Sequence, residues 1–116
     1  MQKRRKGRKL NRKTKQRRAL LHSLASALLL KEKIQSTEAK AREAAIFVEK
    51  QISRAKKGDM ASKRVMAKYF TPRIVKKIIN ELAPRYKERN GGCTRIIKLG
   101  LRKTDGAKMA IAELLK

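Results

Sequence analysis

The chain contains stretches in which apolar residues recur every three or four positions and a later stretch in which they recur every second position. The first spacing is typical of helices that bury one face, and the second is typical of strands. Helical spacing occupies the region from about residue 14 to residue 83, and the alternation begins near residue 93. The pattern therefore predicts an α+β fold, with about four helices packed against a small antiparallel sheet.

The first two helices are long. The first is expected from near Thr14 to about Leu30, with a polar face that includes His22. The second is expected over residues 38–57, where Gly58 provides a C-terminal stop. The apolar stripe of the first helix consists of Leu20, Leu21, Leu24, Ala27 and Leu28. The stripe of the second consists of Ala41, Ala44, Ala45, Val48, Ile52 and Ala55.

Two shorter helices follow. Asp59 is expected to cap a helix that runs through Phe70, and Thr71-Pro72 has the residue types of a cap and a first helical position. The last helix is expected to end before Pro84. The apolar residues of the pair are Val65, Met66, Tyr69 and Phe70, then Val75, Ile78, Ile79 and Leu82. The exposed residues of the last helix are expected to be Arg73, Lys76, Lys77 and Asn80.

The sheet is predicted from three segments. Residues 33–37 form a short candidate strand, and Ser36 or Thr37 can cap the helix that follows. Residues 93–102 alternate with a period of two, and the turn at 104–106 leads into a last strand over 108–115. The sheet is therefore expected to have about three strands and to end in a C-terminal hairpin.

Charge divides the chain further. Lys and Arg number 34 against 9 Asp and Glu, a formal net charge of +25. Self-repulsion at that charge calls for a polyanionic partner, which could be nucleic acid, an anionic membrane surface or an acidic protein. Eleven of the cations lie in residues 1–18, before the first carboxylate, Glu32. Residues 1–13 lack apolar periodicity and are expected to form an extended basic arm, with residues 14–116 as one domain.

The sequence offers little for catalysis. Catalytic sites need convergent titratable groups, and this chain has one His, one Cys and scattered carboxylates. His22 and Cys93 could form a nucleophile pair, but a polar helix face and a half-buried strand position explain them more simply. One cysteine also excludes a disulfide within the chain and a zinc cluster. We expect no enzyme activity, no metal, no cofactor and no small-molecule substrate.

Membrane and targeting functions are also weakly supported. No apolar run approaches the roughly eighteen residues of a membrane span. The basic start followed by residues 19–30 resembles a signal segment, but Lys31, Glu32 and Lys33 stand where a small-residue cleavage site is needed.

Two features permit more than one interpretation. The backbone N–H groups of residues 90–92 (Asn-Gly-Gly) could cradle a phosphate, or the segment could be a plain turn before a strand. Tyr86, among Arg85, Lys87 and Arg89, could pack in the core or contact RNA.

Several runs of residues match one known family. They are Gly-Arg-Lys-Leu-Asn-Arg at 7–12, Arg-Arg-Ala-Leu at 17–20, Ile-Gln-Ser-Thr at 34–37 with Ala-Lys-Ala at 39–41, Gly-Gly-Cys-Thr-Arg-Ile-Ile-Lys-Leu-Gly at 91–100, Met-Ala-Ile at 109–111 and Glu-Leu at 113–114. Over essentially its whole length the chain resembles bacterial-type large-subunit ribosomal protein number seventeen. It departs from the family pattern at Gln16, Cys93 and Lys108, where His, Tyr and Pro are usual.

The resemblance implies a structural constituent of the large ribosomal subunit that supports translation in the cytoplasm, or in an organelle. It implies a position near the peptide exit. The implied partners are large-subunit ribosomal RNA and neighbouring ribosomal proteins, notably number thirty-two.

Binding is then expected to be electrostatic, because Lys and Arg lower the repulsion between crowded phosphates and Arg adds bidentate contacts. The expected RNA-binding residues are Lys3, Arg4, Arg5, Lys6, Arg8, Lys9, Arg12, Lys13, Lys15, Arg17, Arg18, Arg85, Lys87, Arg89, Arg95, Lys98 and Arg102. Two rival functions are a DNA-architectural protein and a cationic membrane-surface protein. The first lacks a helix-turn-helix pattern, and the second lacks Trp and Phe on the apolar face of its first helix.

Overall fold

The computed structural model describes residues 13–89 and 91–115. The predicted arm, apart from Lys13, lies outside the described residues. The helices are α1 (Thr14–Lys31), α2 (Glu38–Lys57), α3 (Met60–Tyr69), α4 (Pro72–Lys77), which continues into a π-helical turn (Ile78–Leu82), and α5 (Ala83–Arg85). The strands are β1 (Lys33–Thr37), β2 (Thr94–Leu101) and β3 (Lys108–Leu114). The predicted α+β class is confirmed.

The helix ends follow the capping residues expected from the sequence. The Thr37 hydroxyl accepts a hydrogen bond from the Lys40 N–H at 3.5 Å, and an Asp59 carboxylate oxygen accepts one from the Ser62 N–H at 2.8 Å. The bond to Ser62 also holds the pKa of Asp59 below its usual value. Gly58 ends α2 in the left-handed conformation, with φ of 68°. Local side-chain chemistry therefore sets where α2 begins and ends and where α3 begins.

The three strands form an antiparallel sheet in the order β1-β3-β2, so the last strand is central. Ala110 and Ala112 on β3 are fully buried, whereas Met109 and Ile111, which alternate with them, are only partly buried. One face of the sheet is therefore covered by helices and the other is more open. The register of β2 and β3 shifts between Lys98 and Gly100, which marks a β-bulge.

The core lies between that covered face and the helices. The predicted stripe of α2 is confirmed at every position, since all six of its apolar residues are buried. In α1, Leu28 is buried as predicted, but the phase of the stripe was otherwise wrong. Ala25 and Leu29, which the prediction left out, are buried, while Leu20, Leu21, Leu24 and Ala27 are only partly buried. Apolar residues surround α1 on all sides between residues 19 and 30, so periodicity could not select the inward face.

The helix that starts at Pro72 does not end before Pro84, as the sequence suggested. It continues through the π-helical turn to Arg85, and the Ala83 N–H bonds to the carbonyl of Ile78, five residues back. Proline lacks an N–H and its ring clashes with the carbonyl four residues earlier in an α-helix. The wider π-helical turn changes that pairing, so Pro84 follows it without ending the helix.

The inward face of this helix also differs from the prediction. Ile78 and Leu82 are buried as predicted, but Val75 and Ile79 are only partly buried. Ile74, which the pattern left out, is buried instead. The widened turn rotates the residues that follow it, so a uniform helical period does not fit both halves of the helix.

Candidate nucleic-acid interface

The start of α1 carries a group of unpaired cations. They are Lys13, Lys15, Arg17 and Arg18, and all but Arg17 are exposed. None of the four forms an ion pair with the described residues, and the first turn of α1 contains no acidic residue. The N-terminus of a helix also carries a partial positive charge. This end of the protein therefore presents positive charge that no carboxylate in the described chain neutralises.

The loop after α5 is less available than its composition suggested. The Arg85 guanidinium forms an ion pair with Glu32, and Lys77 lies 3.4 Å from the same carboxylate. The Arg85 hydrogen bond lowers the pKa of Glu32, and the pairing raises the pKa of Arg85. Arg89 donates weakly to the carbonyl of Gly92, while Lys87 is exposed. Of the cations predicted here, Lys87 is therefore the most available to a ligand.

The predicted cations of the hairpin all lie beside carboxylates. Arg95 donates to Glu113 through two nitrogens, Lys98 lies 3.9 Å from Glu38, and Arg102 lies 2.7 Å from Asp105. The last pair lowers the pKa of Asp105 to about 2. Ion pairing therefore leaves these three residues less available to a ligand than the sequence suggested. The remaining predicted residues, Lys3, Arg4, Arg5, Lys6, Arg8, Lys9 and Arg12, lie outside the described residues.

A cationic cleft that was not among the predicted sites opens between the end of α1 and α4. Its volume is about 400 Å³, and it is lined by Leu30, Arg73, Lys76, Lys77, Asn80 and Glu81. Lys77 was expected to be exposed but is partly buried, and its ammonium donates to the Leu30 carbonyl at 2.8 Å. Arg73 and Lys76 are exposed without a described ion pair. The sequence showed the helical spacing of these cations. It did not show that the end of α1 lies beside them.

The two residues considered for chemistry occupy packed positions. Cys93 is 2% exposed, and burial raises the pKa of its thiol, which disfavours the reactive thiolate. His22 does not lie on a polar face as predicted. Its ring lies 5.5 Å from that of Phe47 and 5.0 Å from that of Tyr69, so it belongs to an aromatic cluster. The wrong helical phase of α1 caused this error.

Tyr86 belongs to the core and not to a surface loop. It is 2% exposed, and its hydroxyl donates to the carbonyl of Leu115 near the end of β3. Burial raises the pKa of the phenol. Nearby, Gly91 and Gly92 both have positive φ, at 80° and 65°. These angles fit a tight turn, while Asn90, the first residue of the possible phosphate cradle, lies outside the described residues.

The described residues form no metal-ligand cluster and no membrane-spanning helix. Within residues 13–89 and 91–115, no three His, Cys, Asp or Glu side chains come close enough to hold a metal ion. In the same part of the chain, every helix is too short or too polar to cross a membrane. The fold and the interface together define a small, strongly basic α+β protein that exposes several cations without a described ion pair.

Comparison with known proteins identifies the family. The sequence profile described as Ribosomal protein L17 matches residues 20–115. The chain is 48% identical over 109 residues to the large ribosomal subunit protein bL17 of Caldanaerobacter subterraneus subsp. tengcongensis, covering 93% of this chain and 97% of that protein. It is 46% identical to bL17 of Clostridium acetobutylicum over 93% of this chain and 96% of the relative. For bL17 of Staphylococcus epidermidis the identity is 44%, over 93% and 98%.

The chain therefore belongs to the ribosomal protein L17 family, a family of structural ribosomal components and not of enzymes. This confirms the resemblance drawn from the sequence.

Proposed function

We propose that the protein binds large-subunit ribosomal RNA and stabilises its folded form near the peptide exit of the bacterial cytoplasmic ribosome. The observation that carries this proposal is the group of unpaired cations at the start of α1. These cations directly follow a segment, residues 2–12, that contains seven more Lys and Arg and no acid. Folding an RNA brings its phosphates together, and cations placed between RNA helices lower the resulting repulsion.

The arm and the body would have separate roles in this function. Residues 2–13 include Leu10 as their single large apolar residue, too little to offset the entropy of ordering the segment without a partner. Phosphate contacts would order it, because neutralised phosphates release counterions. The folded body, with its shape fixed by the core, would then determine where on the RNA the protein sits.

The cleft beside α4 supplies a further candidate contact. Arg73 and Lys76 are exposed there, and the amide of Asn80 can donate to a phosphate or ribose oxygen. Protein neighbours belong to the proposal as well, and the family resemblance suggests ribosomal protein number thirty-two as one of them.

Deletion of residues 2–13 tests the RNA contact. The slope of log affinity for large-subunit RNA against log salt should become shallower by roughly 4–7 units, at about 0.7–0.9 per lost phosphate contact. The truncated protein should still fold but sediment poorly with the large subunit. A charge-matched control carries Gln at the eight cations of residues 2–13 and should behave like the deletion.

One result would contradict the role of the arm, and another would contradict RNA binding itself. One is a truncated protein with an unchanged salt slope and normal incorporation, which would place the RNA contact in the body alone. The other is a full-length protein that prefers duplex DNA to ribosomal RNA, which would favour a DNA-architectural role.

A further inference from the structure

Strand β2 lies at an edge of the sheet and carries exposed apolar side chains. Ile97, Leu99 and Leu101 are 37%, 47% and 67% exposed. They make up half of the six large apolar residues that are exposed in the described chain. Edge strands of soluble proteins usually carry charge or are covered, because their unpaired backbone groups can pair with another chain.

Two hydrogen bonds show which backbone groups of β2 point away from β3. The Leu115 N–H bonds to the Cys93 carbonyl at 2.9 Å, and so Cys93 faces β3. The next N–H, that of Thr94, bonds to a side-chain oxygen of Glu49 on α2 at 3.3 Å, away from β3. Backbone groups alternate in direction along a strand, and therefore the N–H groups of Ile96 and Lys98 also point to the open edge.

Glu49 occupies only the first of these edge positions. Its carboxylate bonds both the N–H and the hydroxyl of Thr94, at 3.3 and 2.8 Å. Farther along the edge, no group of the described chain bonds to the N–H of Ile96 or Lys98. A new strand could therefore pair with β2 from Ile96 up to the bulge that ends at Gly100.

The open face beside this edge is apolar at its centre. The register pairs Ile97 with Ile111 and Gly100 with Met109, opposite to the face that buries Ala110 and Ala112. An incoming strand with apolar side chains at alternate positions would extend this apolar surface by one strand.

Charge on the open face argues for a protein occupant. Arg95 is paired with Glu113, whose register partner on β1 is Lys33, so these three charges sum to only +1. An RNA backbone would gain little here, and the face presents no aromatic ring on which a base could stack. A second copy of the chain would bring another formal +25 and would be repelled.

We propose that the β2 edge from Ile96 to Gly100 binds an extended segment of another protein, which pairs as a fourth strand. The segment would carry apolar side chains at alternate positions and little net charge, since its contacts are Ile97, Leu99 and a nearly neutral surface. This protein contact does not depend on the RNA contact proposed above.

Photo-crosslinking in assembled ribosomes tests the proposal. Benzoylphenylalanine is placed at Ile97 or at Leu99 of the full-length chain in cells, and purified large subunits are irradiated. The expected product is a covalent link to another protein, and mass spectrometry should locate it in an extended, mostly apolar segment. Benzoylphenylalanine at the exposed Arg64 of α3 is the control for the cationic side, where we expect RNA products. A product with RNA, a product with residues 1–12 of the same chain, or no product at either position would overturn the proposal.

A proline substitution tests the backbone pairing itself. Lys98→Pro removes an N–H that points to the open edge and leaves the N–H groups that face β3 in place. Lys98→Ala removes the same charge but keeps the N–H, and is the matched control. The protein cross-link from Ile97 should fall roughly fivefold in Lys98→Pro relative to Lys98→Ala, the effect of one lost hydrogen bond.

Both Lys98 variants carry the same charge, so their RNA affinity and salt slope should be equal. Circular dichroism checks that each variant is folded. Equal cross-link yields from two folded variants would refute strand pairing. If the unmodified chain failed to bind RNA, only the proposed function would be refuted. The cross-link to a protein is measured separately and would still test strand pairing.

Discussion

The helical side and the sheet side of this protein both carry many cations, but they differ in how those cations are paired. On α3 and α4, five exposed cations have no described ion pair: Lys63, Arg64, Lys68, Arg73 and Lys76. On the hairpin, Arg95, Lys98 and Arg102 each lie beside a carboxylate, and only Lys103 and Lys108 have no described ion pair. Net charge alone therefore does not identify a polyanion-binding surface. The position of the few carboxylates determines which cations are available to a ligand.

The largest predicted effect concerns the core that both surfaces share. Ile52→Asp places an unpaired charge at a fully buried position of α2 and should prevent folding, a loss on the order of 4–5 kcal/mol or more. Lys50→Glu, on the exposed side of the same helix, should leave the fold intact. Circular dichroism and thermal unfolding compare the two. Similar losses in both variants would mean that the two surfaces do not depend on the core described.

The next prediction tests the comparison directly. Replacing Lys15, Arg17 and Arg18 together with Gln should make the salt slope of RNA binding shallower by roughly 2–3 units. Replacing Arg95 and Arg102 with Gln should change it by less than about one unit, because carboxylates already neutralise these two residues. Filter binding at several salt concentrations measures both slopes. If each lost cation changed the salt slope equally in the α1 variant and in the hairpin variant, ion pairing with carboxylates would not determine which cations are available to RNA.

A smaller loss of stability is expected at Glu32, where the helical side and the sheet side meet. Glu32 accepts hydrogen bonds from Arg85 and Lys77, and its carbonyl accepts one from the Leu114 N–H at 2.9 Å. Because the side chain is partly exposed, Glu32→Gln should cost only about 1 kcal/mol at neutral pH. Glu88→Gln on the exposed loop is the control and should change stability by less than about 0.5 kcal/mol.

The pH dependence of the Glu32 effect follows from its ion pairs. Arg85 lowers the pKa of Glu32 from 4.5 in the folded protein, so the stabilisation is fully present above pH 4.5. It is lost as the pH falls through the lower folded pKa, where the carboxyl becomes protonated. Unfolding curves of the unmodified protein and Glu32→Gln should therefore converge in acid. A difference that stays constant with pH would mean that the ion pair is not its cause.

The smallest effects are expected at the two residues first considered for chemistry. Cys93→Ser and His22→Gln should each cost at most about 1–2 kcal/mol, through lost packing of the buried thiol or of the aromatic cluster. Both variants should join the large subunit normally. A folded variant that fails to assemble would show that one of these residues has a role beyond packing.

The sequence predicted those parts of the fold that short-range chemistry determines. The second helix was predicted from its first residue to its last, because a single apolar stripe, a capping threonine and a terminal glycine agree there. The first helix has apolar residues on every side, so its inward face depends on how β1 and α2 pack against it. Its error in phase also misplaced His22.

The site was less predictable than the fold. Its positive charge was evident from composition, but the ion pairs of Arg85 with Glu32 and of Arg95 with Glu113 join residues 53 and 18 positions apart. Such pairs depend on strand register and helix packing, which no local pattern reveals. For the same reason the sequence predicted the exposed cations of α4 but not the cleft that they line.

The π-helical turn limits how this chain can change in length. A turn of this kind is an α-helix with one additional residue, and each residue of an α-helix corresponds to a rotation of about 100°. Deleting one residue between 78 and 82 would restore α-helical pairing but turn everything after it by that angle. Tyr86 would then point away from Leu115, and Pro84 would meet an α-helical carbonyl. Single-residue deletions should therefore be tolerated poorly here, whereas the loop before β2 should accept changes in length more readily.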